Sequence, residues 1–400
     1  MNKEDFPIFK ETLRGKRLTY LDSAASAQKP LCVLQAMNDF MLHDYSNVHR
    51  GVYLLSEKAT QHFEQARKTV ADFINAKEDE IVFTRSATES INLVASSFGE
   101  SFKEGDEIIV SIAEHHSDFV PWQQLAAKKN LRLRVVDITD EGALRFDQLA
   151  NFLNEKTRLV ALTQMSNLTG ARFDIKKAAA MAHQAGAKLL ADGCQGVVHG
   201  AQDMKDLDCD FYVFSAHKLY GPTGLGVLYG KREILEQMPP YQYGGDMVKS
   251  VTIEKTVFSA PPARFEAGTP AIVQTVGLQK AVEYVSALTM QKIEAYESEL
   301  SAYFRQGLDS LPFVRQLGTL KNKGGVYSFV VQGVHPQDIS MILDQEGVCV
   351  RTGHHCAQPL SERLGVSSSV RASLGLYNDK EDVDAFIAAL EKAVSFFKKR

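Results

Sequence analysis

Six short apolar runs, spaced along the first 230 residues, constrain this chain more than anything else in it: Ile81-Val-Phe-Thr84 and the segments at 107–112, 158–163, 187–191, 210–215 and 225–229. They do not alternate apolar with polar residues, so as strands they must be covered on both faces. Helix-like stretches lie between and before them. Residues 57–75 place Ala59, Phe63, Ala66, Val70 and Phe73 at helical spacing with charge between, and 174–185 is a second such stretch. After the first run, Arg85-Ser-Ala-Thr-Glu-Ser90 opens a helix with Ser86 or Thr88 as cap. Strands and helices in this order fold as α/β, a mostly parallel sheet with helices on both faces.

From about residue 275 the texture changes. The pattern predicts a long amphipathic helix at about 275–310, short strands at 325–331, 347–351 and 369–374, and a C-terminal helix at 379–398. A chain of 400 residues, 44% hydrophobic, buries enough for two domains. The division expected is a large α/β domain at 21–275 and a smaller α+β domain at 276–400, joined by residues 1–20.

The charge balance, 45 basic against 49 acidic residues for a net −4, gives no footprint for nucleic acid or an anionic membrane. Five scattered cysteines without a Cys-x-x-Cys pair argue against a disulfide framework and for a reducing compartment. The N-terminal stretch has no hydrophobic signal core, and no apolar run approaches the roughly 18–20 residues that span a bilayer. The expectation is a soluble cytoplasmic protein.

Ligands in parallel sheets bind at the C-terminal ends of the strands, where this chain puts its polar residues. Thr88 follows one strand, His115 and His116 the next, Asn167 and Thr169 another, then Asp192 and Gln195, then Ser215, His217 and Lys218. Lys218 stands in Ser215-Ala-His-Lys-Leu-Tyr-Gly-Pro222, beside hydroxyl and imidazole groups and a turn that admits a phosphate. A lysine so placed can offer its amine to a carbonyl cofactor once burial or a neighbouring charge strips its proton. An isolated Ser-x-His-Lys is more often a surface lysine. Asp192 can hold a pyridine nitrogen protonated, or merely cap a helix.

One ring of the His115-His116 pair can stack on a flat cofactor. A zinc site built from these histidines with His354, His355 and Cys356 matches no helical or finger spacing. Cys356 lies on a Gly- and Pro-bounded loop, Arg351-Thr-Gly-His-His-Cys-Ala-Gln-Pro359, where two histidines and an arginine suit a thiolate. Buried structural cysteines are the commoner case, which fits Cys32, Cys209 and Cys349. Arg371, in a strand-like run, suits two-point capture of a carboxylate, or a surface ion pair.

Together these segments resemble a known family. Tyr20-Leu-Asp-Ser-Ala-Ala-Ser-Ala-Gln-Lys-Pro30, Val48-His-Arg-Gly51, Glu114-His-His116, Asp192-Gly-Cys-Gln195, Ser215-Ala-His-Lys-Leu-Tyr-Gly-Pro-Thr-Gly224, Phe265-Glu-Ala-Gly-Thr-Pro270 and Arg351-Thr-Gly-His-His-Cys-Ala357 are similar, in order, to the motifs of the Suf-type (group II) cysteine desulfurases and selenocysteine lyases in the class V aminotransferase-like group. The resemblance runs from about residue 5 to 397. It implies a fold-type I homodimer with a mostly parallel seven-stranded sheet, and pyridoxal 5'-phosphate held as a Schiff base on Lys218. Asp192 would meet the pyridine nitrogen, Gln195 the ring hydroxyl and His115 the ring face. Thr88, Ser215 and His217 would hold the phosphate, with Thr269 supplied by the other subunit. Arg371 and Asn167 would hold the carboxylate of L-cysteine, with His49 nearby, and Cys356 would take the sulfur. The short Cys356 loop implies a docking sulfur acceptor of the Suf system, of the SufE or SufU kind.

Ser86-Ala87 stands where the family has Gly-Thr, Ala216 where Gly is usual and Cys194 where Ala is usual; Tyr243 interrupts a glycine cluster. A pyridoxal-phosphate enzyme that needs no thiol is the main alternative, and Cys356 on its His-His loop tells against it. A non-catalytic scaffold for a sulfur carrier is another, opposed by intact Lys218, Asp192 and Arg371.

Overall fold

The computed structural model describes residues 2–321 and 323–398; Met1, Asn322, Lys399 and Arg400, which fall in the span expected for the smaller domain, lie outside them. The apolar runs form strands β1 (Ile81–Thr84), β2 (Glu107–Ser111), β4 (Thr157–Thr163), β5 (Lys188–Asp192), β6 (Phe211–Ser215) and β7 (Gly226–Gly230), joined by a seventh, β3 (Arg132–Val136). Their order in one sheet is β1-β7-β6-β5-β4-β2-β3. Only β7 runs against its neighbours; the rest are parallel to one another.

Successive residues of a strand point to opposite faces, so a strand apolar throughout feeds two cores. In β4, Val160 and Leu162 enter one core while Leu159 and Ala161 enter the other. In β6, Tyr212 and Phe214 oppose Phe211 and Val213 in the same way. The edge strand β3 carries no such run. Its Arg134 instead pairs with Glu107 of β2 at 3.1 Å, a polar edge that discourages further strand addition.

The helix read at 57–75 forms as α2 (Leu54–Phe73), preceded by α1 (Leu31–His43). Ser86 caps α3 (Ala87–Ser97), and α4 (His116–Lys129) and α5 (Ile175–Gln184) follow their strands. The single helix expected at 275–310 is two, α6 (Ile272–Leu288) and α7 (Met290–Asp309), broken where Thr289 adopts φ 64°. No glycine or proline marks that break. The helices serve different cores: α6 packs on α1 and α2, while α7 packs on the C-terminal helix α8 (Lys380–Lys398).

The second sheet is antiparallel, with β8 (Val314–Leu317), β9 (Val326–Val331), β10 (Arg351–Gly353) and β11 (Ser369–Ser373) in the order β8-β9-β11-β10. Its core stacks Phe304 on Tyr327 and on Phe386, with ring centroids 4.5 and 5.0 Å apart. The strand expected at 347–351 is divided: Val348 and Cys349 pair with Thr19 and Tyr20 of the N-terminal segment, and β10 starts at Arg351. Phe6 is buried against Tyr220, Tyr284 and Tyr377. Tyr220 Oη in turn accepts the Leu376 amide at 3.1 Å, tying the Lys218 loop to the segment after β11.

A buried ion pair fixes the segment that carries Thr269. Arg67 of α2 meets Glu266 at two points, 2.7 and 2.9 Å, and donates to the Ile81 carbonyl at 2.8 Å; Glu266 also accepts the Phe83 amide. Glu266→Ala leaves a desolvated guanidinium with Glu64 alone, so we expect about 3 kcal/mol less stability in urea denaturation. A loss near zero would show that Glu64 suffices.

Candidate active site

The C-terminal ends of β1, β2, β4, β5 and β6 open onto one cavity of about 170 Å³, and the second sheet closes its far side. Thr88, His115, Asn167, Asp192, Ser215, His217 and Lys218 line it from the large sheet, and Arg351 and Arg371 from the small one. Residues far apart in sequence meet because each ends a strand of the same parallel sheet.

At the end near α3, the Ser215 hydroxyl accepts the Ala87 amide at 2.9 Å and the Thr88 and Ser117 hydroxyls lie 2.7 Å apart. The first-turn N–H groups of a helix and three hydroxyls suit an anion. Gly226 of β7 is required here, since a Cβ on it would meet the Ser86 backbone at 2.3 Å. His217 is neutral, its pKa lowered to about 4 by burial and then by Lys218 and Lys29, and its buried Nδ1 has no partner.

His115 caps α4, its Nδ1 accepting the Ser117 amide at 3.0 Å. That bond places the hydrogen of the neutral ring on Nε2. Burial, then the charge of Lys218, lowers its pKa to about 3, so the ring is uncharged. Asp192 ends β5 almost fully buried, one oxygen accepting the Cys194 amide at 2.9 Å.

The small sheet contributes two arginines as register partners, Arg351 on β10 opposite Arg371 on β11. Partners across an antiparallel pair share a face, which brings both into the cavity. Arg371 is fully buried; it donates to Asp22 at 2.8 Å and to the Asn167 carbonyl at 3.1 Å, and its Nε has no partner. Burial lowers its pKa while Asp22 opposes that shift. Asn167 Oδ1 is likewise buried and unpartnered. Buried polar atoms without partners are rare in folded proteins, and three of them surround this cavity. They match a ligand that carries both acceptors and donors.

Cys356 is half-buried just outside the cavity lining. His355 and Cys356 both take left-handed backbone, φ 54° and 57°, a conformation non-glycine residues hold only when their surroundings enforce it. Here Asn167 Nδ2 donates to the His355 carbonyl at 2.6 Å and the His116 amide to the Cys356 carbonyl at 2.7 Å. The cation beside the sulfur is Arg351, at 3.5 Å, rather than a histidine. His355 points away, to Ser369 at 2.9 Å, and its pKa falls to about 3 through burial and then Arg371.

Not every residue singled out in the sequence reaches the cavity. Gln195 donates to the Ala24 carbonyl at 2.9 Å and does not line it. His49 pairs with Glu64 at 2.8 Å in a separate cleft with Arg50 and Asp246. Thr269 is exposed, in a recess with Phe83 and Glu89. Conversely, sequence reading gave no role to Asp22 or Ser117. Asp22 is 349 positions from Arg371, and its only signal was a place inside the Tyr20–Pro30 motif. Among the described residues no three His, Cys, Asp or Glu side chains are grouped to hold a metal ion, and no helix is long and apolar enough to cross a membrane.

The buried neutral histidines carry a stability consequence. His355 has a folded pKa of about 3 against an unfolded value near 6.5, so below pH 6.5 the unfolded chain binds a proton that the folded one refuses. Stability is therefore unaffected above that pH and falls as pH drops toward 3. His355→Gln should flatten the decline by about 1 kcal/mol at pH 5.5 in urea titrations; parallel curves for variant and wild type would contradict it.

The class-V aminotransferase family model matches residues 19–386. A cysteine desulfurase of Dickeya dadantii is 48% identical over 98% of this chain and 95% of its own. Among solved structures, the cysteine desulfurase CsdA (S-sulfonic acid) from Escherichia coli superposes with a TM-score of 0.91 at 38% identity over 99% of both chains. The apo cysteine desulfurase from Thermococcus onnurineus superposes with a TM-score of 0.94 at 39% identity, over 98% of this chain and 97% of that one. The fold is thus fold-type I, as the motifs imply, and the chain belongs to the class-V aminotransferases, within them to the cysteine desulfurases.

Proposed function

We propose that this chain converts L-cysteine to L-alanine with pyridoxal phosphate and retains the sulfur as a persulfide on Cys356. One observation supports the reading: Lys218 and a carboxylate-ready Arg371 line one small cavity from two sheets, and Arg351 of the same lining reaches Cys356 Sγ just outside it at 3.5 Å. The donor set fits the cofactor. Thr88, Ser215 and His217 would hold its phosphate, Asp192 its ring nitrogen, Gln195 its hydroxyl after turning from Ala24, His115 its face and Lys218 its carbonyl carbon. Thr269 would come from the second copy of a homodimer. Exposed apolar side chains of α1 and the following loop, Met41, Leu42, Tyr45 and Val52 among them, favour such a partner.

Bound pyridoxal phosphate supplies a sink for the electron pair left when a Cα–H bond breaks. The protein's own groups do the rest. Arg371 and Asn167 orient the substrate carboxylate, with His49 brought near by the assembly. Lys218 removes the Cα proton. Cys356 Sγ attacks the substrate sulfur, so an S–S bond forms as the Cβ–S bond breaks. The thiol proton ends on the alanine methyl group, and cysteine plus Cys356–SH becomes alanine plus Cys356–S–SH.

A sulfur-accepting protein of the Suf system, supplying iron–sulfur cluster assembly, then collects the persulfide. The pinned Cys356 loop supports delivery to a docked acceptor. Selenocysteine lyase activity is the second reading, supported by the same Lys218 and Arg371 placement. Five free cysteines suit a reducing cytoplasm. The test is intact mass spectrometry after brief exposure to L-cysteine, with alanine assayed in parallel. One added sulfur on Cys356 together with alanine is expected. Bound cofactor with neither product would overturn the reading.

A further inference from the structure

Glu114 and Asp118 flank His115 in sequence and are completely buried, and the reaction above uses neither. Their environment is unusual. Ser111 Oγ donates to Glu114 Oε1, and Trp122 Nε1 donates to Asp118 Oδ1 at 2.8 Å. The two carboxyls lie within hydrogen-bonding reach of each other. Yet Glu114 Oε2 and Asp118 Oδ2 find no donor, and neither carboxyl has an ion-pair partner among the described residues. The carboxylate of Asp192 is a further charge that acts on both.

Two acceptors cannot satisfy each other, and two charges desolvated side by side without a cation are prohibitively costly. A single proton between Glu114 Oε2 and Asp118 Oδ2 resolves both orphans at once. It leaves Asp118 as a carboxylate accepting from Trp122 and from Glu114, and Glu114 as an acid accepting from Ser111. Burial raises both acids well above the ordinary range. Asp118 and then Asp192 add to the rise at Glu114, while at Asp118 Asp192 adds to it and the bonds from Trp122 and Glu114 oppose it, as expected if Glu114 is the partner that carries the proton.

We propose that Glu114 and Asp118 share one proton as a singly charged acid pair that positions His115 and sets the negative potential behind Asp192. The pair brackets the first turn of α4, whose cap is His115, so its hydrogen bond clamps the turn that presents that ring. Its one negative charge adds to that of Asp192 and favours protonation of whatever group Asp192 faces. Both residues are positioning residues; neither is itself part of the cavity lining, though each adjoins a residue that is, His115 or Ser117.

The second part rests on the cofactor reading above, the first does not, and the experiment separates them. Infrared spectra of the full-length protein at neutral pH should show a protonated carboxylic-acid carbonyl band. E114Q should lack it, because the amide can donate to Asp118 and accept from Ser111 in the acid's place. Should E114Q fail to fold, isotopic labelling of glutamate carboxyls in the wild type should shift the same band. Absence of the band, or a band insensitive to both changes, would overturn the shared proton whether or not cofactor binds.

For the charge, E114Q alone retains one negative charge, whereas E114Q/D118N removes it. The visible-absorbance titration of cofactor-loaded protein should stay in place for E114Q. It should move to lower pH by about one unit, roughly tenfold in the proton equilibrium, for the double variant. Equal titrations in all three proteins would overturn the electrostatic role. A protein with the band but no cofactor absorbance would instead sink the cofactor reading and leave the pair standing.

Discussion

Alanine in place of Lys218 is expected to lower alanine formation from L-cysteine by roughly four orders of magnitude or more, while the protein stays folded. A positioned base alone contributes roughly 10²–10⁴-fold, and on the proposed reaction Lys218 also forms the covalent link to the cofactor. Stability should barely change. Lys218 Nζ makes no hydrogen bond or ion pair among the described residues, whereas the backbone around it is secured by others. The His217 carbonyl accepts from the Ala27 amide at 3.0 Å and from Lys29 Nζ at 3.1 Å. Steady-state alanine assays together with thermal unfolding check this. Turnover within tenfold of wild type would remove Lys218 from the chemistry, and collapse of the fold would mean that the side chain is structural.

Serine at Cys356 should separate the two proposed reactions, on L-cysteine and on selenocysteine. Desulfuration of L-cysteine should fall by about three orders of magnitude, since a hydroxyl is far weaker as a nucleophile than a thiol and no base is positioned to activate it. Cofactor content should be unchanged, because Cys356 does not line the cavity. The loop should persist as well, for short bonds to the His355 and Cys356 carbonyls hold it and the sulfur adds only the long Arg351 contact, which a serine hydroxyl can also accept. Selenocysteine needs no thiol attack if its selenium departs as neutral Se(0), the C–Se electron pair staying on Cβ and taking up a proton to give alanine, so its turnover should survive largely intact. Parallel assays on both substrates decide the matter. Equal loss on both would count against a lyase activity, and full cysteine turnover by the serine variant would remove Cys356 as sulfur acceptor.

The parallel core strands were legible because burial on both faces leaves an uninterrupted apolar run, as in Ile108-Ile-Val110 or Leu159-Val-Ala-Leu162. Strand β3 was not, because Arg132 and Arg134 give an edge strand the look of a loop. The Thr289 break was hidden for another reason: nothing local demands it, and it exists because α6 and α7 answer to separate cores. At the site, the rim residues could be found by their position after each strand. Orientation could not. His355 looks like a neighbour of the thiol in sequence, yet two left-handed residues turn it to Ser369 and leave Arg351 beside the sulfur. Asp22, Gln195, His49 and Thr269 depend on tertiary placement that no run of residues encodes.

The two carbonyl bonds that fasten the Cys356 loop bear on kinetics. A thiol on a swinging arm could carry its sulfur outward and return empty; this one is tethered on both sides, by Asn167 and by the His116 amide. On the proposed reaction, then, without an acceptor or added reductant alanine should appear as a burst of one equivalent per chain, followed by a slow phase. The burst amplitude would count loaded cysteines directly. Any protein that abolishes the plateau without changing the burst would identify itself as the agent that empties the site.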